Sequence, residues 1–471
     1  MRMIDKIYID GQFVTPHGRE LFDIFNPATE KKIGQVRLGD AVDVDAAVAA
    51  AKRAFPAFSR TSKAERIALL RRLHDTVAAR SDALAAAMTE EYGAPQSFVN
   101  FSATHAANLF LDMVETLESF EFTQTVGGAK VTLQPMGVVA AISPWNSNIG
   151  SICSKLATAL AAGCTVVIKP SEMSAIQTQV LAEALHEAGA PPGVFNIVNG
   201  RGDVVGAALS SHPDIAKMTF TGSTVVGRSI MRAAAETMKR VTLELGGKGP
   251  NIILPDADLE NAIPTVVSAG FLNSGQACIA GTRILAPRSR LPEILKRLKA
   301  AVAAIKVGES TDPVVNLGPM VSQKQWDRVQ NYIRVGIEEG AQVLIGGEGR
   351  PAGVERGWFV QPTVFTGVNN NMRIAREEIF GPVLCVIPYH DEDEAIAIAN
   401  DSNYGLQAYV ESADPAHAHR VAERLQCGRV VINGAPHAPL APFGGFKQSG
   451  IGREYGQYGL AAHLEARAIL G

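Results

Sequence analysis

The sequence predicts an α/β protein: a first unit on a doubly wound, five-stranded parallel sheet, a second α/β unit, and a small β arm. Three observations predict it. Strand-length apolar runs at 138–143, 165–169, 194–198, 215–220 and 241–245 alternate with amphipathic patterns at 150–162, 174–188, 202–209 and 224–238, the spacing of parallel strands with crossover helices. A second such alternation runs from 248 to about 431. The chain's 471 residues also exceed what one hydrophobic core usually serves.

Taken in order, residues 7–14 alternate around an Asp10-Gly11 turn and Asn26-Pro27-Ala28-Thr29 marks another, so short strands and a small sheet lead in. Residues 43–58, 62–80 and 81–92 place apolar side chains every three or four positions behind Ser or Asp caps, which predicts amphipathic helices. A helix over 102–118 leads into 120–133, where strand-forming residues surround Gly127-Gly128 as in a hairpin. Beyond Lys248, helices are expected at 259–272, 291–304, 322–339 and 391–400, and strands at 283–286, 359–365, 383–388 and 408–410. Residues 433–453 are dense in Gly and Pro, as in a long loop over a pocket.

Charge and cysteines narrow the class. Lys and Arg number 44 against 47 acids, a net of -3, without a long basic run, which argues against nucleic acid or an anionic membrane as partner. The apolar tract near 156–168 is too short and too rich in Ala and Gly to span a bilayer, and charge breaks up residues 1–7, so a soluble protein without a secretory signal is expected. The cysteines, 5 in all, are scattered without paired or zinc-like spacing and read as reduced thiols of a cytoplasmic protein that binds no metal.

The candidate nucleophile is Cys278, in Asn273-Ser274-Gly275-Gln276-Ala277-Cys278. A thiolate attacks a carbonyl well if its surroundings lower the thiol pKa and leave the sulfur accessible, and Gly275 and Ala277 are read as open backbone around it. Parallel sheets bind ligands at the carboxyl ends of their strands. There stand Pro144-Trp145-Asn146, Lys169-Pro170-Ser171-Glu172, Thr221-Gly222-Ser223 and Glu244-Leu245-Gly246-Gly247. The turn from Gly222 to Gly227 opens a helix and offers N–H groups to a phosphate; Glu172 suits ribose hydroxyls as an acceptor, and Lys169 can donate beside it.

Together with Leu243-Glu244-Leu245-Gly246-Gly247-Lys248, Glu377-Glu378-Ile379-Phe380-Gly381-Pro382 and Pro442-Phe443-Gly444-Gly445, these stretches make the chain resemble the aldehyde dehydrogenase superfamily over nearly its whole length. The resemblance implies a Rossmann-like cofactor domain (1–118 and 136–246), a catalytic domain (247–449) and an oligomerisation domain (119–135 and 450–471) of a homodimer or homotetramer. It implies Cys278 as nucleophile, Glu244 as general base with room from the two following glycines, and Asn146 with the Cys278 backbone N–H as donors to the oxyanion. Lys155 and Glu454 match positions that either relay protons or form a structural ion pair. The cofactor contacts carried over are Ser143, Trp145, Lys169, Ser171, Glu172, Thr221, Gly222, Ser223, Glu378 and Phe380, and the acid at 172 favours NAD over NADP, although both remain open.

The expected reaction is therefore oxidation of an aldehyde to its acid through a thiohemiacetal and thioester on Cys278. Two alternatives stand beside it: acyl transfer to coenzyme A, disfavoured by the glutamate at 244, and an inactive nucleotide-binding protein of the same fold. Serines at 147, 151 and 154 replace aromatics common among family members acting on small aldehydes, so a roomier or more polar tunnel is expected; His437 is a candidate for its mouth.

Overall fold

The strands Val138–Ile142, Thr165–Lys169, Phe195–Ile197, Ile215–Thr221 and Arg240–Glu244 pair in parallel in a computed structural model that describes residues 1–471. Their sheet is larger than the expected five strands. Antiparallel Ile7–Ile9 and Gln12–Val14 extend it beyond Phe195–Ile197, and Gly450–Ile451 closes the edge at Arg240–Glu244, giving an 8-stranded sheet. The amino-terminal segment thus divides between this sheet and a 3-stranded sheet of Arg2–Ile4, Lys31–Arg37 and Leu21–Asn26.

Helices cover both faces. Lys63–Ala78, Gln96–Ser119, Asn148–Ala162 and Ala175–Glu187 pack in the largest core on one side, and Ala41–Phe58, Ala207–Ser211 and Thr224–Ala235 pack on the other. Of the caps read in the sequence, Ser62 is one and forms a reciprocal capping box with Glu65; the first helix is capped instead by Asp40, with Asp43 as its reciprocal partner, and Ser81 lies inside its helix behind Arg80, which makes no side-chain cap. The long helix begins at Gln96 behind Pro95, not at 102, because proline fixes the turn that starts it. The apolar tract at 156–168 divides between the end of the helix Asn148–Ala162, whose small side chains are buried on nearly every side, and the strand Thr165–Lys169.

The second unit is a 7-stranded sheet, in order Gln342–Ile345, Thr363–Thr366, Val383–Tyr389, Arg283–Pro287, Pro250–Ile253, Gln407–Glu411 and Arg429–Ile432. All neighbours are parallel except the first edge pair. Pro250–Ile253, Gln342–Ile345, Arg429–Ile432 and the helix Pro415–Ala422 were not foreseen; each is short, and two of the strands lie at the sheet's edges, where alternation is weak.

The arm is the hairpin Thr123–Val126 and Ala129–Pro135, with both turn glycines at positive φ, joined by Leu464–Ile469. The rest of the carboxyl segment lies elsewhere: Gly450–Ile451 is in the first sheet, and Gly456–Ala461 packs against Asn148–Ala162. No helix is long and apolar enough to cross a membrane.

Candidate active site

The nucleophile loop is held by its own backbone. Asn273, Ser274 and Gly275 have φ of 52, 58 and 72°, three left-handed residues in succession, after which the chain turns to present Cys278. Gly275 is not open backbone: it is buried, and a Cβ there would overlap the Gly381 carbonyl. Side chains brace the turn. Gly318 N–H donates to Ser274 Oγ at 2.9 Å, Val321 N–H to Gln276 Oε1 at 3.0 Å, and Gln276 Nε2 to Pro319 O at 3.3 Å. No motif marked 318–321 in the sequence, because its role is to supply backbone groups.

Asn146 follows the strand Val138–Ile142 and reaches this loop. Its Nδ2 donates to the Gln276 carbonyl at 2.9 Å, while Asn273 Nδ2 donates to the carbonyls of Asn146 and Gln276, both at 3.3 Å. One N–H of the Asn146 amide is thereby fixed, and the other is left for a ligand.

Glu244 ends the strand Arg240–Glu244, in register with Thr221. It is 2% exposed, and neither carboxylate oxygen has a hydrogen-bond partner. Burial first, and the Glu454 carboxylate second, hold its pKa well above the usual carboxylate range. The two following glycines serve other neighbours than the expected room for Glu244. A Cβ on Gly246 would meet the Glu378 carboxylate at 2.5 Å, and one on Gly247 would overlap the Cys278 carbonyl. The glycine that faces Glu244 is Gly444, where a Cβ would lie 2.8 Å from Oε1.

Cys278 departs from the expected lowered thiol. Burial, and then the Glu378 and Glu244 carboxylates, push it up to about 12, against smaller opposing effects of its own backbone N–H and Arg429. The site as it stands therefore holds a thiol that must be deprotonated for attack.

Lys155 and Glu454 form an ion pair, with Lys155 Nζ donating to Thr219 Oγ1 at 3.2 Å and Thr219 Oγ1 to Glu454 Oε1 at 3.2 Å. Their charges act on Glu244 with opposite signs. The pair is thus positioned behind the base.

At the same sheet edge, Lys169 Nζ donates to Glu172 Oε2 at 3.1 Å and to Pro170 O at 2.8 Å. Thr221-Gly222-Ser223 leads into the helix Thr224–Ala235, where Val226 N–H donates to Ser223 Oγ at 3.4 Å and Val225 and Val226 are exposed. Glu378 accepts from Gly247 N–H at 2.9 Å through Oε1, and burial pushes it up to about 7. Phe380 stands edge-on to Trp145, centroids 5.3 Å apart. A paired ammonium and carboxylate, a helix amino terminus flanked by exposed apolar side chains and a second carboxylate by the nucleophile form a donor and acceptor set that fits a dinucleotide. Two expected contacts are turned inward instead: Ser143 is buried with its hydroxyl donating to Asn148 Oδ1 at 3.1 Å, and Ser171 Oγ accepts from Met173 N–H at 3.3 Å. Of the three serines expected in the tunnel, Ser147 is exposed, Ser151 half-buried and Ser154 buried.

A cysteine, a buried carboxylate and an amide thus lie close together at the carboxyl edge of a doubly wound sheet, beside a set of groups that fits a dinucleotide. Residues 13–469 match the model of the aldehyde dehydrogenase family, and the chain belongs to that family. It is 48% identical over 473 residues to a 3-succinoylsemialdehyde-pyridine dehydrogenase from a Pseudomonas species, covering 100% of this chain and 99% of that protein. A mutant aldehyde dehydrogenase C from Pseudomonas syringae, crystallised with NAD+ and octanal, superposes with a TM-score of 0.97 at 46% identity, covering 99% of this chain and 96% of that one. An aldehyde dehydrogenase from Mycobacterium tuberculosis in complex with NAD+ has a TM-score of 0.97 at 42% identity, covering 100% and 98%.

Proposed function

We propose that this chain oxidises an aldehyde to the carboxylic acid with NAD, through an acyl intermediate on Cys278 that water hydrolyses. The carrying observation is Glu244: a buried carboxylate beside the nucleophile whose oxygens no protein group engages, so that both are free to take a proton from water.

Cys278 loses its proton to solvent water and its sulfur bonds to the aldehyde carbon, so the carbonyl oxygen becomes an oxyanion. The free N–H of the Asn146 amide and the Cys278 backbone N–H donate to that oxygen. When bound, NAD would supply the acceptor for the hydride that leaves the same carbon, and a thioester remains on Cys278. Glu244 then takes a proton from water as the water oxygen adds to the thioester; the carbon–sulfur bond breaks, the acid departs and sulfur keeps the electron pair. The Lys155–Glu454 pair stabilises or passes on the proton that Glu244 has taken. Lys169 and Glu172 would hold the adenosine ribose, Thr221-Gly222-Ser223 and the helix behind it the phosphates, and Glu378, with Phe380 and Trp145, the nicotinamide half.

The five free thiols fit a reducing, cytoplasmic setting. Thr123–Val126 is exposed at every position and, with Leu464–Ile469, offers a sheet edge for homo-oligomer assembly. Incubation with aldehyde and NAD, with and without coenzyme A, tests the reaction. The expected product is the free acid in both cases, with NADH formed in equal amount; an acyl-coenzyme A product, or no NADH from any aldehyde, overturns it.

A further inference from the structure

Arg429 opens the edge strand Arg429–Ile432, in register with Gln407 on the neighbouring strand. Three hydrogen bonds tie its guanidinium to the nucleophile loop. Arg429 Nε donates to Gln407 Oε1 at 2.6 Å, Gln407 Nε2 donates to Tyr409 Oη at 2.5 Å, and Tyr409 Oη donates to the carbonyl of Ile279 at 2.8 Å, the residue after Cys278. The guanidinium also lies 5.1 Å over the Phe443 ring, and its Nη1 is 3.2 Å from His437 Nδ1. These partners are all neutral: an amide oxygen, an aromatic face and an imidazole nitrogen. An arginine cannot be deprotonated, so its full charge stands here with no carboxylate to meet it.

Arg429 is close enough for its charge to act on Cys278, and aromatic and imidazole rings surround it. His437 packs edge-on to His105 at 5.5 Å and to Tyr455 at 6.1 Å, Phe443 lies 5.6 Å from Tyr455, and His105 stacks on Phe101, which is 58% exposed. Because arginine can only donate, His437 Nδ1 must accept, which puts the imidazole proton on Nε2 and leaves the ring neutral. Burial first, and then Arg429 and His105, push His437 down to about 4, and burial lowers His105 as well. Neither imidazole competes with Arg429 as a cation at neutral pH. The carboxylates nearest the reaction, Glu244 and Glu378, belong to the base and cofactor side, and neither makes an ion pair with Arg429. With Nε given to Gln407 and one Nη1 N–H to His437, the second Nη1 N–H and the Nη2 group remain to take a carboxylate end-on through two N–H bonds.

Resting on the aldehyde-oxidising reading above, we infer that Arg429 is a specificity residue that receives the anionic far end of the substrate. The substrate class is then an ω-carboxy aldehyde, the semialdehyde of a dicarboxylic acid: carbonyl at Cys278, carboxylate at Arg429, and Phe443 and Tyr455 against the chain between.

The test compares kcat/KM for ω-carboxy aldehydes of four to eight carbons with methyl-ended aldehydes of equal length, in wild type, Arg429→Gln and Arg429→Lys. The wild type should favour the carboxy series by about tenfold or more at its best length, less so as salt is raised. Arg429→Gln should cut that ratio about tenfold or more, chiefly through KM, and Arg429→Lys should restore part of it. A second measurement needs no variant: saturated dicarboxylates should compete with substrate in the wild type better than monocarboxylates of the same length. A wild type that oxidises methyl-ended aldehydes as well as or better than carboxy ones, a ratio unchanged in Arg429→Gln, or equal competition by the two acids overturns the assignment of Arg429 alone. Failure of every aldehyde to yield NADH overturns the catalytic reading, and this one with it.

Discussion

Cys278 and Glu244 are both held toward their protonated forms, the thiol up to about 12 and the carboxyl well above its ordinary value. Each must lose a proton to act, so turnover should climb as pH rises from roughly 6 to about 9, and a pH–rate profile that falls over this range contradicts the assignment. Cys278→Ala should abolish NADH formation. Glu244→Gln keeps the side chain's shape without its basicity, so a stopped-flow NADH burst should persist while steady-state turnover falls by about a hundredfold or more. Asn146→Ala removes one oxyanion donor and should lower kcat by roughly a hundredfold with the fold intact by circular dichroism. These residues were legible because each is a chemically distinctive side chain inside a recognisable stretch. Gly444 and Arg429 were not. A glycine that makes space for a carboxylate, and an arginine whose meaning depends on partners far away in sequence, carry no local signal.

The loop ending at Cys278 shows how an element can be read for composition and misread for geometry. Gly275 looked like openness, whereas its φ of 72° and its contact with Gly381 make it a fixed point of the turn. Gly275→Ala should therefore give a strained or displaced loop: reduced thermal stability, slower alkylation of Cys278 and little activity, whereas unchanged alkylation would refute the packing argument. The Ser62 cap was easier to read, since a cap is a local interaction. Ser62→Ala breaks the capping box with Glu65 and should cost about 1 kcal/mol in denaturant unfolding, with kinetic constants untouched. The crossover strands were likewise legible, being continuous apolar runs buried on both faces. Short edge strands such as Gln342–Ile345 and Arg429–Ile432 owe their existence to a neighbour's hydrogen bonds, which no window of sequence contains.

At the scale of the molecule, the two sheets and the arm followed from the order of periodicities, but the path of the last residues did not: Gly450–Ile451 crosses to the first sheet before Leu464–Ile469 joins the hairpin. Pairings of such long sequence separation are set by tertiary packing. The arm's exposed strand leads to a prediction for assembly. By light scattering the full chain should be a dimer or tetramer, and removal of residues 464–471 should shift it to a smaller species; a monomeric full chain would contradict the assembly proposal. All of the chemistry, however, turns on a covalent bond between substrate carbon and one sulfur. The direct measurement is intact-mass spectrometry with peptide mapping of Glu244→Gln after brief exposure to aldehyde and NAD. The account predicts an adduct equal in mass to the aldehyde less two hydrogens, located on Cys278 and released by hydroxylamine. NADH formed by this variant with no such adduct, or with the adduct on another residue, would contradict it.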